Sequence, residues 1–286
     1  MRVLTRQLAQ WLLVVGLAVA PAVMANDVPR IAVASSLQFA LTEIAEDFQE
    51  VSGRQVILNM GSSGNFRRQI VQGAPFELFL SANEGYVQAL NEAGKTRDAG
   101  VRYARGRLVW LQRKGLDGEE GGESGEDGED GQLGEQPSPE APLAAVKAAV
   151  RAWQTDGSRA RFALANPEHA PYGVAARQAL EHEGLWDASQ PLQVQGENVA
   201  QAARFALSAD TRGGLVAYSL ACSPLLAEKS RYVLIPEAWH VPLYQRMALL
   251  PGAGETAEAF YAYLQSPPAR QVFRDYGFAV PAPDAP

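Results

Sequence analysis

The chain has 286 residues, a formal net charge of −7 and one cysteine, Cys222. A single cysteine excludes an intramolecular disulfide, so stability must come from burial. His169, His182 and His240 are scattered without metal-ligand spacing, which argues against a metal ion held directly by side chains.

The chain opens with MRVLTRQ, a basic start, followed by the apolar run LAQWLLVVGLAVAPAV. Residues 1–25 read as a signal peptide cleaved near Ala25. A transmembrane anchor is the competing reading, but the apolar run falls short of the roughly 20 residues a span needs. No later stretch is long and apolar enough. The mature protein is therefore expected to be soluble and exported. Its roughly 260 residues exceed what most single cores support, so two lobes are expected.

From there strands alternate with helices. RIAVASS (30–36) reads as a strand, and 38–52 as an amphipathic helix ending at Gly53. RQVILNM (54–60) is a strand and 64–72 a helix. FELFLSA (76–82) is a strand and 84–93 a helix ending at Gly94. GRLVWLQR (106–113) is a strand with no helix directly after it. Beyond residue 140 come a helix near 143–154, RFALAN (161–166), a helix over 173–184, LQVQGE (192–197) and a helix over 199–208. GLVAYSL (214–220) and RYVLIP (231–236) read as strands and PLYQRMALLPG (242–252) as a long strand. Helices over 255–265 and about 267–275 follow. The fold class is α/β, with mainly parallel sheets covered on both faces.

GRLVWLQR and YQRMALLP are long strands far apart in sequence, each joining one block of βα units to another. If they pair, they form a two-strand hinge. Lobe 1 would then be discontinuous, 26–107 plus 246–282, and lobe 2 would be 108–245. Segment 115–140 holds ten carboxylates and no Lys or Arg. Glycine and like charge predict a disordered loop there. A calcium site is the competing reading, but the ligand order of an EF-hand loop is missing. Outside this segment and the signal peptide, 23 basic residues face 22 acidic ones. The acidity belongs to the insert, not to the folded body.

The chemistry gathers at helix starts. A helix N-terminus carries unpaired N–H groups and about half a positive charge. Several such ends aimed at one spot can cradle an anion without Lys or Arg. Ser35 and Ser36 follow the first strand, where an ordinary N-cap is an equal alternative. Ser63 sits in GSSG, where Gly61 and Gly64 let the backbone approach a ligand; a capped tight turn is the alternative. APYG places the amides of Tyr172 and Gly173 at a helix start behind Pro171, which has none to donate. GENVAQAA offers Asn198 as a cap and the Val199 amide as a donor, while Glu197 must point away from an anion. Arg67 and Arg68 read as a solvated helix face, or as cations that steer an anion inward. An enzyme is disfavoured, since there is no GxSxG elbow and no histidine near either serine in sequence. A DNA-bound regulator is disfavoured too, because no helix-turn-helix precedes the body.

The stretches VASSLQFALTEIAEDF, GSSGNFRRQIVQGAPFELFLSA, YARGRLVW, ANPEHAPYGVAARQAL, GENVAQA, GGLVAYS and VFRDYGF resemble the periplasmic molybdate-binding proteins of bacterial ABC importers. They span nearly the whole mature chain except the acidic insert. The resemblance implies a type II periplasmic binding fold whose two lobes close on molybdate or tungstate. It implies oxyanion ligands at Ser36 and Ser63, through hydroxyl and amide, and at Tyr172 and Val199, through amides. Ser35, Gly173, Asn198, Ala217 and Tyr218 are further candidates. It also implies an inner-membrane permease as partner and no cofactor; a monomer without nucleic acid is expected. Sulfate or another tetrahedral oxyanion is the alternative ligand. One departure stands out. Some relatives supply a tyrosine hydroxyl from the strand that matches GGLVAYS, and here Ala217 takes that place. Tyr218 follows it and, on a strand, faces the other way.

Overall fold

The computed structural model describes residues 28–115 and 137–282. The expected signal peptide and most of the acidic insert lie outside these residues. In chain order the elements are β1 (Arg30–Ala34), α1 (Gln38–Ser52), β2 (Ile57–Gly61), α2 (Ser63–Val71), β3 (Leu78–Ser81), α3 (Glu84–Glu92), β4 (Val101–Gly106) and β5 (Leu108–Arg113). Then come α4 (Ala144–Asp156), β6 (Phe162–Ala165), α5 (Pro171–His182), α6 (Trp186–Ser189), β7 (Gln193–Gly196), α7 (Val199–Ala206) and β8 (Gly214–Ala217). Last are α8 (Tyr218–Ala221), α9 (Pro224–Ala227), β9 (Ser230–Leu234), β10 (Leu243–Leu249), α10 (Glu255–Tyr263) and α11 (Pro267–Asp275).

Two five-stranded sheets carry the fold, ordered β2-β1-β3-β10-β4 and β7-β6-β8-β5-β9. In each, the fourth strand runs antiparallel to both its neighbours and the other four point the same way. The parallel strands are covered on both faces, which is why β3 and β6 read as unbroken apolar runs and are buried throughout. Helix α1 buries Ala40, Leu41, Ile44 and Phe48 on one face. It stops at Gly53, whose φ of 68° is left-handed backbone that glycine enters without strain. Among the described residues no helix is long and apolar enough to cross a membrane.

The two long strands expected to pair as a hinge do not. β10 lies in the first sheet between β3 and β4, and β5 lies in the second between β8 and β9. They hold equivalent fourth positions, each entering a sheet otherwise built by the other stretch of chain. Residues 101–105, given no strand by the sequence reading, form β4 together with Gly106. It runs almost straight into β5 through Arg107, so the chain passes between sheets there and returns over 235–242. GLVAYSL is also not all strand: β8 ends at Ala217 and Tyr218 opens α8.

Candidate functional site

The loops at the carboxyl ends of β1, β2 and β3 meet those after β6 and β7 around one cavity, the usual place for a ligand in an open α/β sheet. Its walls are Ala34, Ser35 and Ser36 after β1, Gly61, Ser62 and Ser63 after β2, and Ala82 after β3. The second sheet contributes Ala170, Pro171 and Tyr172 at the start of α5, and Val199 at the start of α7. The cavity is small, and no charged side chain lines it. All four residues expected to carry the site are brought together here and are buried.

Their polar atoms are not equivalent. Ser63 Oγ accepts a hydrogen bond from the Ala82 amide at 3.0 Å, which leaves its own proton free to donate. Ser35 Oγ accepts from the Ala200 amide at 3.4 Å, across the cavity. Ser36 Oγ is buried and completes no hydrogen bond of proper geometry. A buried hydroxyl in that condition calls for a partner. The Ser36 carbonyl, by contrast, accepts from Ser219 Oγ at 2.7 Å.

Tyr172 shows its amide end at the cavity while its ring runs under the connection between sheets. Its hydroxyl accepts from Gln245 Nε2 at 3.3 Å, and Gln245 Oε1 accepts from Tyr103 Oη at 2.9 Å. Gly106 makes room for this bridge, since a Cβ there would stand 2.0 Å from the Tyr172 hydroxyl. Burial pushes the Tyr172 phenol well above its usual range, and the Ser36, Gln245 and Ser219 side chains nearby offset part of that rise. The phenol is neutral and acts as a hydrogen-bonding group only.

The remaining candidates lie off the cavity wall. The Gly173 amide donates to Ala170 O at 2.9 Å, and the residue is small because a Cβ would sit 2.2 Å from Ala165 O. Asn198 caps α7, accepting from the Gln201 amide at 3.0 Å. Ala217 is buried within β8, opposite Leu108. Tyr218 turns away, its hydroxyl 3.3 Å from that of Tyr232. It does so because α8 begins there, not because a strand alternates. Arg67 and Arg68 are exposed; Arg67 stacks over Tyr86 at 5.6 Å. Glu197 points outward, with His169 Nε2 at 3.3 Å. Among the described residues no group of His, Cys, Asp or Glu is assembled to hold a metal ion.

Sequence reasoning missed Gln245 and the role of His169. Ser62, inside the GSSG motif, was visible but not singled out. Its hydroxyl donates to the His169 carbonyl, 107 residues away.

Known proteins are similar to this chain in sequence and fold. The family model described as bacterial extracellular solute-binding protein matches residues 29–279. The molybdate-binding protein ModA of Azotobacter vinelandii is 30% identical over 256 residues, covering 88% of this chain and 89% of that protein. ModA of Rhodobacter capsulatus is 30% identical over 251 residues, covering 86% of each. The solved structure of the Azotobacter vinelandii periplasmic molybdate-binding protein superposes with a TM-score of 0.70 at 25% identity, covering 89% of this chain and all of that one. The chain belongs to the bacterial extracellular solute-binding proteins, a family of binding and transport proteins rather than enzymes.

Proposed function

We propose that the protein captures molybdate, and tungstate of like shape and charge, between two lobes and delivers it to the permease of an ABC importer. The lobes are the units built on the two sheets. The first is discontinuous, and the chain crosses between them at Arg107 and over 235–242. The observation that carries this reading is a small buried cavity walled by hydroxyls and helix-start amides, with the Ser36 hydroxyl completing no hydrogen bond of proper geometry. Ser36 and Ser63 donate to the oxyanion through their hydroxyls, and Tyr172 and Val199 through backbone amides. Two helix starts from each lobe add the positive ends of their dipoles. The names of the ModA relatives support molybdate as the ligand. Export through a signal peptide cleaved near Ala25, and a monomeric state, complete the reading.

Neutral donors suit a ligand that must be released, and they discriminate by geometry. A buried donor left unpaired by an ill-fitting anion costs about 1–3 kcal/mol. Sulfate, with the same charge and shorter bonds to its central atom, is the natural competitor. Isothermal titration calorimetry with molybdate, tungstate, sulfate and phosphate tests the assignment. Tight binding of the first two alone is expected. Equal affinity for sulfate would make this a general tetrahedral-oxyanion binder, and no heat with any of the four would sink the proposal.

A further inference from the structure

We propose that the turn bearing His169 is a closure stop that sets cavity width, and so the size of oxyanion accepted; this rests on the anion-binding reading above. The His169 carbonyl, on the second lobe, accepts the Ser62 hydroxyl and, at 3.0 Å, the Gly64 amide, both on the first. The single proton of Ser62 is used on that carbonyl. His169 Nδ1, 2.9 Å from Ser62 Oγ, is therefore the donor of a second bond between the lobes. On its far side His169 Nε2 faces Glu197 at 3.3 Å. The ring thus lies between the turn before α5 and the turn before α7, the two that supply Tyr172 and Val199. His169 and Ser62 are both buried.

This contact cannot tighten. A Cβ on Gly64 would lie 2.5 Å from His169 O and 3.0 and 3.1 Å from its Cα and C, all backbone atoms. The lobes meet here as closely as main chain allows. The contact is also adjacent to the cavity in sequence: Ser63 stands between Ser62 and Gly64, and Ala170 to Tyr172 follow His169 directly. The separation of the Ser63 donors from the Tyr172 amide is therefore fixed by protein touching protein. On the opposite wall the bonds from Ser219 to Ser36 and from Ala200 to Ser35 hold the spacing in the same way. A smaller oxyanion cannot draw the walls in around itself, and it leaves donors unpaired.

Ser62→Ala and Gly64→Ala test the stop, with molybdate and sulfate affinities measured for both variants and the wild type. Cooperative melts establish that each variant folds. Ser62→Ala frees the walls to adjust, so the ratio of sulfate to molybdate dissociation constants should narrow by about fivefold or more. Gly64→Ala keeps an ordinary helical backbone but wedges the lobes apart, and molybdate affinity should fall by about 100-fold. If Gly64→Ala does not fold, Ser62→Ala decides alone. Equal weakening toward both anions in Ser62→Ala would mark Ser62 as a simple ligand and overturn the stop. Wild-type ratios in the folded variants would overturn it as well. A wild-type protein that bound neither anion would bring down the functional reading, and the stop with it.

Discussion

Replacing Ser36 by alanine should move binding and stability in opposite directions. In the folded protein the Ser36 hydroxyl is buried and completes no hydrogen bond of proper geometry. Its polar neighbour is the Tyr172 phenol, and a well-formed bond is expected only with an oxyanion oxygen. A charge-assisted bond to a dianion in a closed cleft is worth about 1.5–3 kcal/mol, so Ser36→Ala should weaken molybdate binding roughly ten- to a hundredfold. Removing an unpaired buried hydroxyl relieves a penalty of up to about 1–3 kcal/mol. The anion-free protein should then melt higher, by about 2–4 °C per kcal/mol for a chain of this size. Ser63→Ala is the control. Its hydroxyl also accepts from the Ala82 amide, so that variant loses affinity and strands a buried donor. Its anion-free melting temperature should fall. Calorimetric titration with molybdate and thermal melts without it, on both variants, give the four numbers needed. Unchanged affinity in Ser36→Ala, or melting shifts of the same sign in the two variants, would refute the reasoning.

Arg67 is exposed and stacked on Tyr86, and Arg67→Ala should change molybdate affinity by less than about threefold at 0.15 M salt, since exposed charges are screened there. A tenfold loss would show that a cation holds the ligand. Deleting residues 117–136 should leave a cooperative melt and molybdate affinity nearly intact, because a Gly- and Glu-rich segment buries little and loop length acts only logarithmically. Loss of binding or folding in the deletion would make the insert structural. Burial holds His240 below its usual 6.5, more strongly than its bond to Val241 O and the charge of Glu237 raise it. The neutral form is thus favoured in the folded state. The stability this gives is present above about pH 6.5 and is lost as pH falls below that value, where the unfolded chain binds the extra proton. Urea unfolding at pH 7.5 and 5.5 should show a larger acid loss in the wild type than in His240→Gln; equal losses would place the acid sensitivity elsewhere.

The parts of the fold written in local pattern were legible. Helix α1 ends where Gly53 takes a left-handed conformation, and the buried parallel strands announce themselves as apolar runs. β4 was hidden because Arg102 and Arg105 break its pattern. In the structure Arg102 is neutralised by a bidentate pair with Glu84 and lies over the Tyr244 ring at 3.9 Å. That compensation is tertiary and leaves no trace in VRYARG itself. The hinge was misread for a related reason. β5 and β10 look alike because they occupy equivalent places in two sheets, and likeness was taken for pairing. At the site, the serine turns were visible because helix starts have local signatures. Gln245 and His169 were not, because what they do depends on partners 73 and 107 residues away.

The equivalence of the two sheets also bears on how such a site can be both tight and releasable. Each sheet presents its helix starts on one side only, so each lobe alone offers an anion half a cradle in contact with water. There the donors compete with solvent and gain little. With both halves together the same donors act in a water-poor cavity, where every bond is electrostatically stronger. Affinity is thus a property of the pair of lobes, and neither surface needs a cation to hold its share. Among the described residues, the lobe–lobe bonds around the cavity include Ser62 and Gly64 to His169, Ala200 to Ser35, Ser219 to Ser36, and Gln245 to Tyr172. At about 0.5–1.5 kcal/mol each they are strong enough to define a stopping point and weak enough to be undone. A permease that separates the rims would break these contacts. Water then reaches the donors, and the anion meets no fixed positive charge that would keep it.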